Sequence, residues 1–215
     1  MNRELDIETR MASIGINIPS KEKNSYTDIE KTLCLACQNI EKKSRFLSLL
    51  LSWIFVHGER VNAERLKKIS KTLPSPWISL LARYAMFHGL SRWKILIEKT
   101  LSSPIANDDI QIIQSKINLK GEEIWAKNSG FLIPIDSEPI SNKYILAPEQ
   151  LAKINVHYKN KIIYGSNWRA DMITAFQSGA ENPFQCQKRS FSSYEPAYRI
   201  FMDFQTIGGI PQSYK

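Results

Sequence analysis

The sequence predicts a mainly α protein: an N-terminal helical bundle, a short irregular connector containing β-like pieces, and a C-terminal degenerate (winged) helix-turn-helix. Three observations carry this. Apolar residues recur at three- and four-residue spacing along most of the first hundred positions, each stretch bounded by a helix-starting or helix-ending residue. Between 121 and 146 that rhythm gives way to Pro, Ser, Asn and Gly. It then resumes in short segments separated by tight breaks. The corresponding division is a polar leader over 1–25, the bundle over 26–120, the connector over 121–146 and the module over 147–215.

Each element follows from local signals. Thr27-Asp28-Ile29-Glu30 has the spacing of a capping box, and Ile29, Leu33, Ala36, Cys37 and Ile40 form one stripe behind it. Ser44 opens a more apolar helix, the central element, which Gly58 is expected to end in the left-handed C-cap conformation. Val61 and Asn62 supply a staple and a cap to a helix whose outer face is basic through Arg65, Lys67, Lys68 and Lys71. Pro74-Ser75-Pro76 breaks the chain and restarts it, with Trp77, Leu80, Leu81, Tyr84 and Phe87 facing inward. Gly89 stops that helix and Ser91 caps a fifth, continuing the inward stripe through Trp93, Leu96, Ile97 and Leu101. Asn107 to Ile117 reads as a weak helix and Phe131-Leu132-Ile133 as β-like. Pro148 restarts a helix that runs towards Gly165. Trp53, Trp77 and Trp93 keep no constant period, so a compact bundle is preferred to a repeat array.

A chain of 215 residues that is 43% hydrophobic is able to bury a true core. Its longest apolar run, Phe46 to Val56, is far shorter than the roughly 20 residues that cross a bilayer. The first residues lack the basic start and apolar block of a secretory signal. Three cysteines are too few for a secreted disulfide framework, so the expected location is the cytoplasm. The net charge of +8 is concentrated in residues 41–100, which hold 12 basic and 4 acidic side chains. Such a concentration fits a phosphate backbone as partner, or simply a solvated face.

The chemical motifs point away from catalysis. Cys34-x-x-Cys37 lacks a second ligand pair or a strand-to-helix turn, and is read as helix packing. His57, His88 and His157 are scattered and have no i, i+4 partner, so neither metal nor cofactor is expected. The pairs Asp108-Asp109 and Glu122-Glu123 lie in polar stretches and read as surface. Gly-rich dinucleotide and phosphate loops and a Gly-x-Ser-x-Gly elbow are all missing from the sequence, and the expectation is a non-enzyme.

Trp168, Met172, Ile173 and Phe176 form one side of a helix closed by Gly179, and a second helix starts at Pro183. A third, capped by Ser192-Ser193, carries Ala197, Ile200, Phe201 and Phe204 as a stripe and exits at Gly208-Gly209. The stretch YGSNWRADMITAFQSG…SFSSYEPAYRIFMDFQTIGGI resembles the winged-helix domain of ArsR-type regulators over about 50 residues. The resemblance implies a regulatory, antitoxin-like protein binding duplex DNA, with Ser193, Tyr194, Glu195, Tyr198 and Arg199 aimed at the groove. Lys42, Lys43, Arg45, Arg65, Lys67, Lys68, Lys71, Lys188 and Arg189 would add phosphate contacts. The second helix, Phe184 to Arg189, is poor in apolar residues, and the tail to Lys215 is short for a β-wing. An alternative therefore stands beside the first: an assembly subunit that uses the third helix, with Trp168, Tyr194 and Tyr198 as anchors, for docking or as a homodimer.

Overall fold

The computed structural model describes residues 6–20, 24–97, 115–127, 129–136 and 141–209. Ten α-helices are named among them: α1 (Ile7–Ser13), α2 (Ile29–Cys37), α3 (Arg45–His57), α4 (Ala63–Thr72), α5 (Pro76–Phe87), α6 (Pro148–Ile154), α7 (Val156–Tyr164), α8 (Trp168–Gln177), α9 (Pro183–Ser190) and α10 (Tyr194–Thr206). The described residues form no strand, only the isolated antiparallel bridges Ile16–Ile145 and Glu122–Pro134. The mainly helical class is as the apolar periodicity predicts. None of these helices is long and apolar enough to cross a membrane.

The larger core gathers α2 to α5 around α3, whose Leu50, Leu51, Trp53 and Ile54 are fully buried. Two regions expected to lie outside the bundle contribute to it. In the leader, Asp6 caps α1, and Met11, Ile14 and Ile16 enter the core, where the Ile14 carbonyl accepts from Trp53 Nε1 at 2.7 Å. From the 121–146 stretch, Trp125, Phe131 and Ile133 are buried in the same core, the Phe131 ring lying 4.6 Å from that of Trp77. The apolar pieces of 121–146 have no helical periodicity, and the helical spacing of Ile7, Met11 and Ile14 spans only two turns, so neither gave a sign of the surface that it would cover.

Several local expectations are corrected. The N-cap of α2 is Asp28, which accepts from Lys31 N, whereas the Thr27 hydroxyl is buried without a partner. Gly58 has φ −58°, a right-handed conformation, so it is no left-handed cap. Its smallness is spatial: a Cβ there would stand 2.5 Å from Leu90 Cδ1. Phe87 does not face inward but is 56% exposed. The fifth bundle segment is a 3-10 helix, Ser91–Leu96, with Trp93 and Leu96 buried. Leu101 and most of Asn107–Ile117 lie outside the described residues, although 115–120 is helical. The helix expected from Pro148 to Gly165 is broken at Asn155. That residue caps α7 through Tyr158 N and donates from Nδ2 to the carbonyls of Ser13 and Thr27.

The last three helices have a core of their own, made of Met172, Ile173, Phe176, Cys186, Ala197, Ile200 and Phe204. Asn167 and Asn182 cap α8 and α9, and the left-handed residue after α9 is Phe191 at φ +60°. The few apolar positions of α9 suffice because Cys186 is fully buried between its neighbours, with its thiol 3.6 Å from the Met172 carbonyl. Ser193 occupies the N-cap of α10 without a side-chain cap bond.

Candidate nucleic-acid interface

The expected contact residues fall into separate settings. Lys42, Lys43 and Arg45 are exposed at the α2–α3 junction. Lys43 pairs with Glu8 and lies over the Phe46 ring, and the Arg45 guanidinium stacks 5.0 Å over Tyr144. Lys67, Lys68 and Lys71 are exposed on α4. Lys68 Nζ sits 4.3 Å over the Trp168 ring and donates to the Phe191 carbonyl at 3.1 Å, which brings the basic face of α4 against the α9–α10 turn. Lys188 and Arg189 end α9, the first over Phe184 and the second donating to the Ser178 carbonyl. On α10, Ser193, Tyr194, Tyr198 and Arg199 are all exposed. The rings of Tyr194 and Tyr198 stack at 6.2 Å, and Arg199 pairs with Glu195 one turn earlier. The outer side of α10 thus offers aromatic surface and balanced charge. The positive charge stands on α4 and at the end of α9.

Arg65 departs from the expectation. It is 2% exposed and points away from the lysines of its helix, into a buried ionic network. Its Nη1 donates to Asp28 Oδ1 at 2.8 Å and Glu30 Oε2 at 2.7 Å, Nη2 bonds Asp28 Oδ2, and Nε donates to the Ser190 carbonyl at 2.9 Å. Lys161 of α7 is fully buried and bridges Glu30 Oε1 at 2.7 Å and Asp171 Oδ1 at 2.9 Å. Asn62 donates its backbone N–H to Glu30 and its side-chain amide to Asp171 Oδ2. The network joins α2, α4 and α7 to α8 and to the end of α9, and so fixes the three-helix unit on the bundle.

Desolvation alone would push these carboxyls up. At Asp28 the Arg65 guanidinium outweighs burial, and at Asp171 the Lys161 ammonium does so with help from His157 and Arg65. Both carboxyls are held well below the usual carboxylate range. Lys161 is likewise raised, burial being overcome by Glu30 and Asp171. Donor atoms of Asp28, Glu30 and His157 come within 4.8 Å of one another, the spacing of a metal site. They do not suit one. His157 Nδ1 accepts from Ile29 N–H at 3.2 Å while Nε2 donates to Asp171, so the ring offers no free lone pair, and the carboxylates already hold two cationic side chains.

Sequence reasoning missed this network because its members lie far apart along the chain, between Asp28 and Asp171. The available hint was Asn62, Arg65, His157 and Lys161 occurring on helices otherwise patterned for burial. The Cys34 and Cys186 thiols are each pushed up to about 12 by burial, and Cys37 is also raised by burial, which suits packing. Compared with protein-family models, curated proteins and solved structures, the chain matches no family model, no curated protein and no solved structure.

Proposed function

We propose that the protein contacts duplex DNA in a regulatory role, with α8 to α10 acting as a helix-turn-helix-like reader whose phosphate contacts come from α4 of the bundle and the end of α9. The observation that carries this reading is Lys68. Its bond to Phe191 places the exposed Lys67, Lys68 and Lys71 beside the turn that leads into α10, with Lys188 and Arg189 on the preceding helix. A helix-turn-helix needs cations at this edge, because phosphates flanking the major groove lie beside the start of the inserted helix. Ser193, Tyr194, Tyr198 and Arg199 then face the groove.

Five such cations predict a salt slope near −4.5, or about a 500-fold loss of affinity between about 50 and 200 mM salt. Fluorescence anisotropy on a labelled duplex measures it. Replacing Lys67, Lys68 and Lys71 with Gln should reduce the slope to about −2. Absence of binding at low salt, or an unchanged slope in the triple variant, refutes the reading.

A second reading rests on a different observation. Tyr194, Tyr198 and Met202 recur every fourth residue along the exposed side of α10, forming an apolar stripe. An antiparallel second copy would lay Glu195 against Arg199 across that stripe. Light scattering decides it: a dimer abolished by Tyr198→Asp supports the pairing, and a monomer at high concentration removes it.

A further inference from the structure

Three interhelical turns converge on one face of the bundle and enclose a cleft of about 430 Å³, within the range of small-molecule sites. They are the α3–α4 turn (Gly58–Val61), the turn after α5 (Gly89–Trp93), and the α7–α8 turn (Gly165 and Ser166). Glycine shapes the cleft for physical reasons. Gly58 admits Leu90 where a methyl would collide with it, and Gly165 turns the chain at φ +84°, which a side chain would strain.

The lining carries Arg60 and Arg92 against a single carboxylate, Glu59. Arg60 is half-buried and lies against the phenol of Tyr158, which is itself buried and bonded at 2.8 Å to His57 Nδ1. His57 Nε2 in turn donates to the Leu146 carbonyl at 3.0 Å, so a buried chain of groups stands behind the guanidinium. Ser91 adds a hydroxyl at the rim, Trp93 is pinned to the floor by its bond to the Gly58 carbonyl, and Leu90 and Val61 add apolar wall.

We propose that this cleft binds a small phosphate monoester, its phosphate held between Arg60 and Arg92 with Ser91, and its organic part against Leu90 and Val61. Two forked cations beside backbone-rich glycine turns match a dianionic tetrahedral group, and the apolar wall gives the site use for more than the bare ion. The Glu59 carboxylate opposes the phosphate and makes binding weaker than two arginines alone would allow. The α7–α8 turn leads directly into the three-helix unit, so a bound ligand touches the element that carries α8. The proposal does not depend on DNA binding.

Isothermal titration calorimetry of the full chain at low ionic strength tests it, with ribose 5-phosphate, adenosine 5′-monophosphate, inorganic phosphate and adenosine as titrants. Saturable binding of at least one monoester is expected, tighter than inorganic phosphate, with adenosine silent. Arg60→Gln and Arg92→Gln should each weaken it about tenfold or more, the loss of a charge-assisted contact. Glu59→Gln should tighten it, which excludes a general loss of structure as the cause. Absence of heat from both monoesters up to about 10 mM, affinity unaffected by either arginine substitution, or equal binding of adenosine overturns the proposal.

Discussion

Replacing Arg65 with Met keeps the aliphatic stem and removes every donor. The wild-type guanidinium bonds Asp28, Glu30 and the carbonyls of Arg189 and Ser190 while 2% exposed. In the variant Asp28, its side chain 26% exposed, loses its cation, Glu30 keeps Lys161 and the Asn62 N–H, and two carbonyls lose a donor, that of Ser190 in a buried site. Breaking a buried pair by removing one partner costs about 3–5 kcal/mol. At about 2–4 °C per kcal/mol for a chain of this size, the melting temperature should fall by roughly 6–20 °C. Thermal unfolding followed by circular dichroism at pH 7 measures this. Stability also gains a pH signature. A carboxyl whose folded value is depressed contributes stability above its unfolded value, near 4, and loses it as pH falls through the folded value. Asp28 is depressed mainly by Arg65 against the opposing effect of burial, so the variant should have a shallower loss of stability below about pH 4. A loss under about 1 kcal/mol, or an unchanged acid limb, refutes the reasoning. Replacing the whole network with well-fitted apolar residues is a different experiment and is expected to be neutral or stabilising. Its value here lies in setting how the three-helix unit docks.

Three further outcomes follow from the same geometry. His57 is fully buried, and burial depresses its imidazole to about 4. The unfolded chain therefore binds the extra proton between about 6.5 and 4, so folding stability should fall by about 3 kcal/mol as pH drops through that window. Urea titrations at a series of pH values read the slope, and a flat profile across the window contradicts the burial argument. Gly58→Ala pushes aside Leu90 Cδ1, the end of a flexible and half-buried side chain, while Ala suits the right-handed conformation at this position, so the net loss should stay under about 1 kcal/mol, and Leu90→Ala should remove the collision part of it. A loss above about 2 kcal/mol would mean that Leu90 is held in place. Finally, Tyr194→Ser should change the melting temperature by less than about 2 °C, because the ring lies half in solvent and outside the small core of α8 to α10. A large drop would place that ring in the core.

The helices were legible because burial on one side imposes a period on the chain, and because Asn62, Pro76 and Pro183 mark starts that depend only on local backbone chemistry. The amphipathic α10 was legible for the same reason, Ala197, Ile200 and Phe204 facing the small core. Contacts that cross the chain were not. Arg65 and Lys68 stand three residues apart on one helix and look alike in sequence, yet one is sealed among carboxylates and the other reaches the Phe191 carbonyl at the surface. Likewise Phe131 and Ile133 carry no helical pattern that would announce their place in the core, whereas Ile7, Met11 and Ile14 do recur at four and three residues behind Asp6, a signal too short to show what it would cover. The sequence by itself determined most helix starts and the apolar stripes behind them, because those preferences act over a few residues. Which cations are buried, which segments complete the core and which turns meet to form a cleft were decided only by tertiary packing, since each depends on a partner more than twenty residues away.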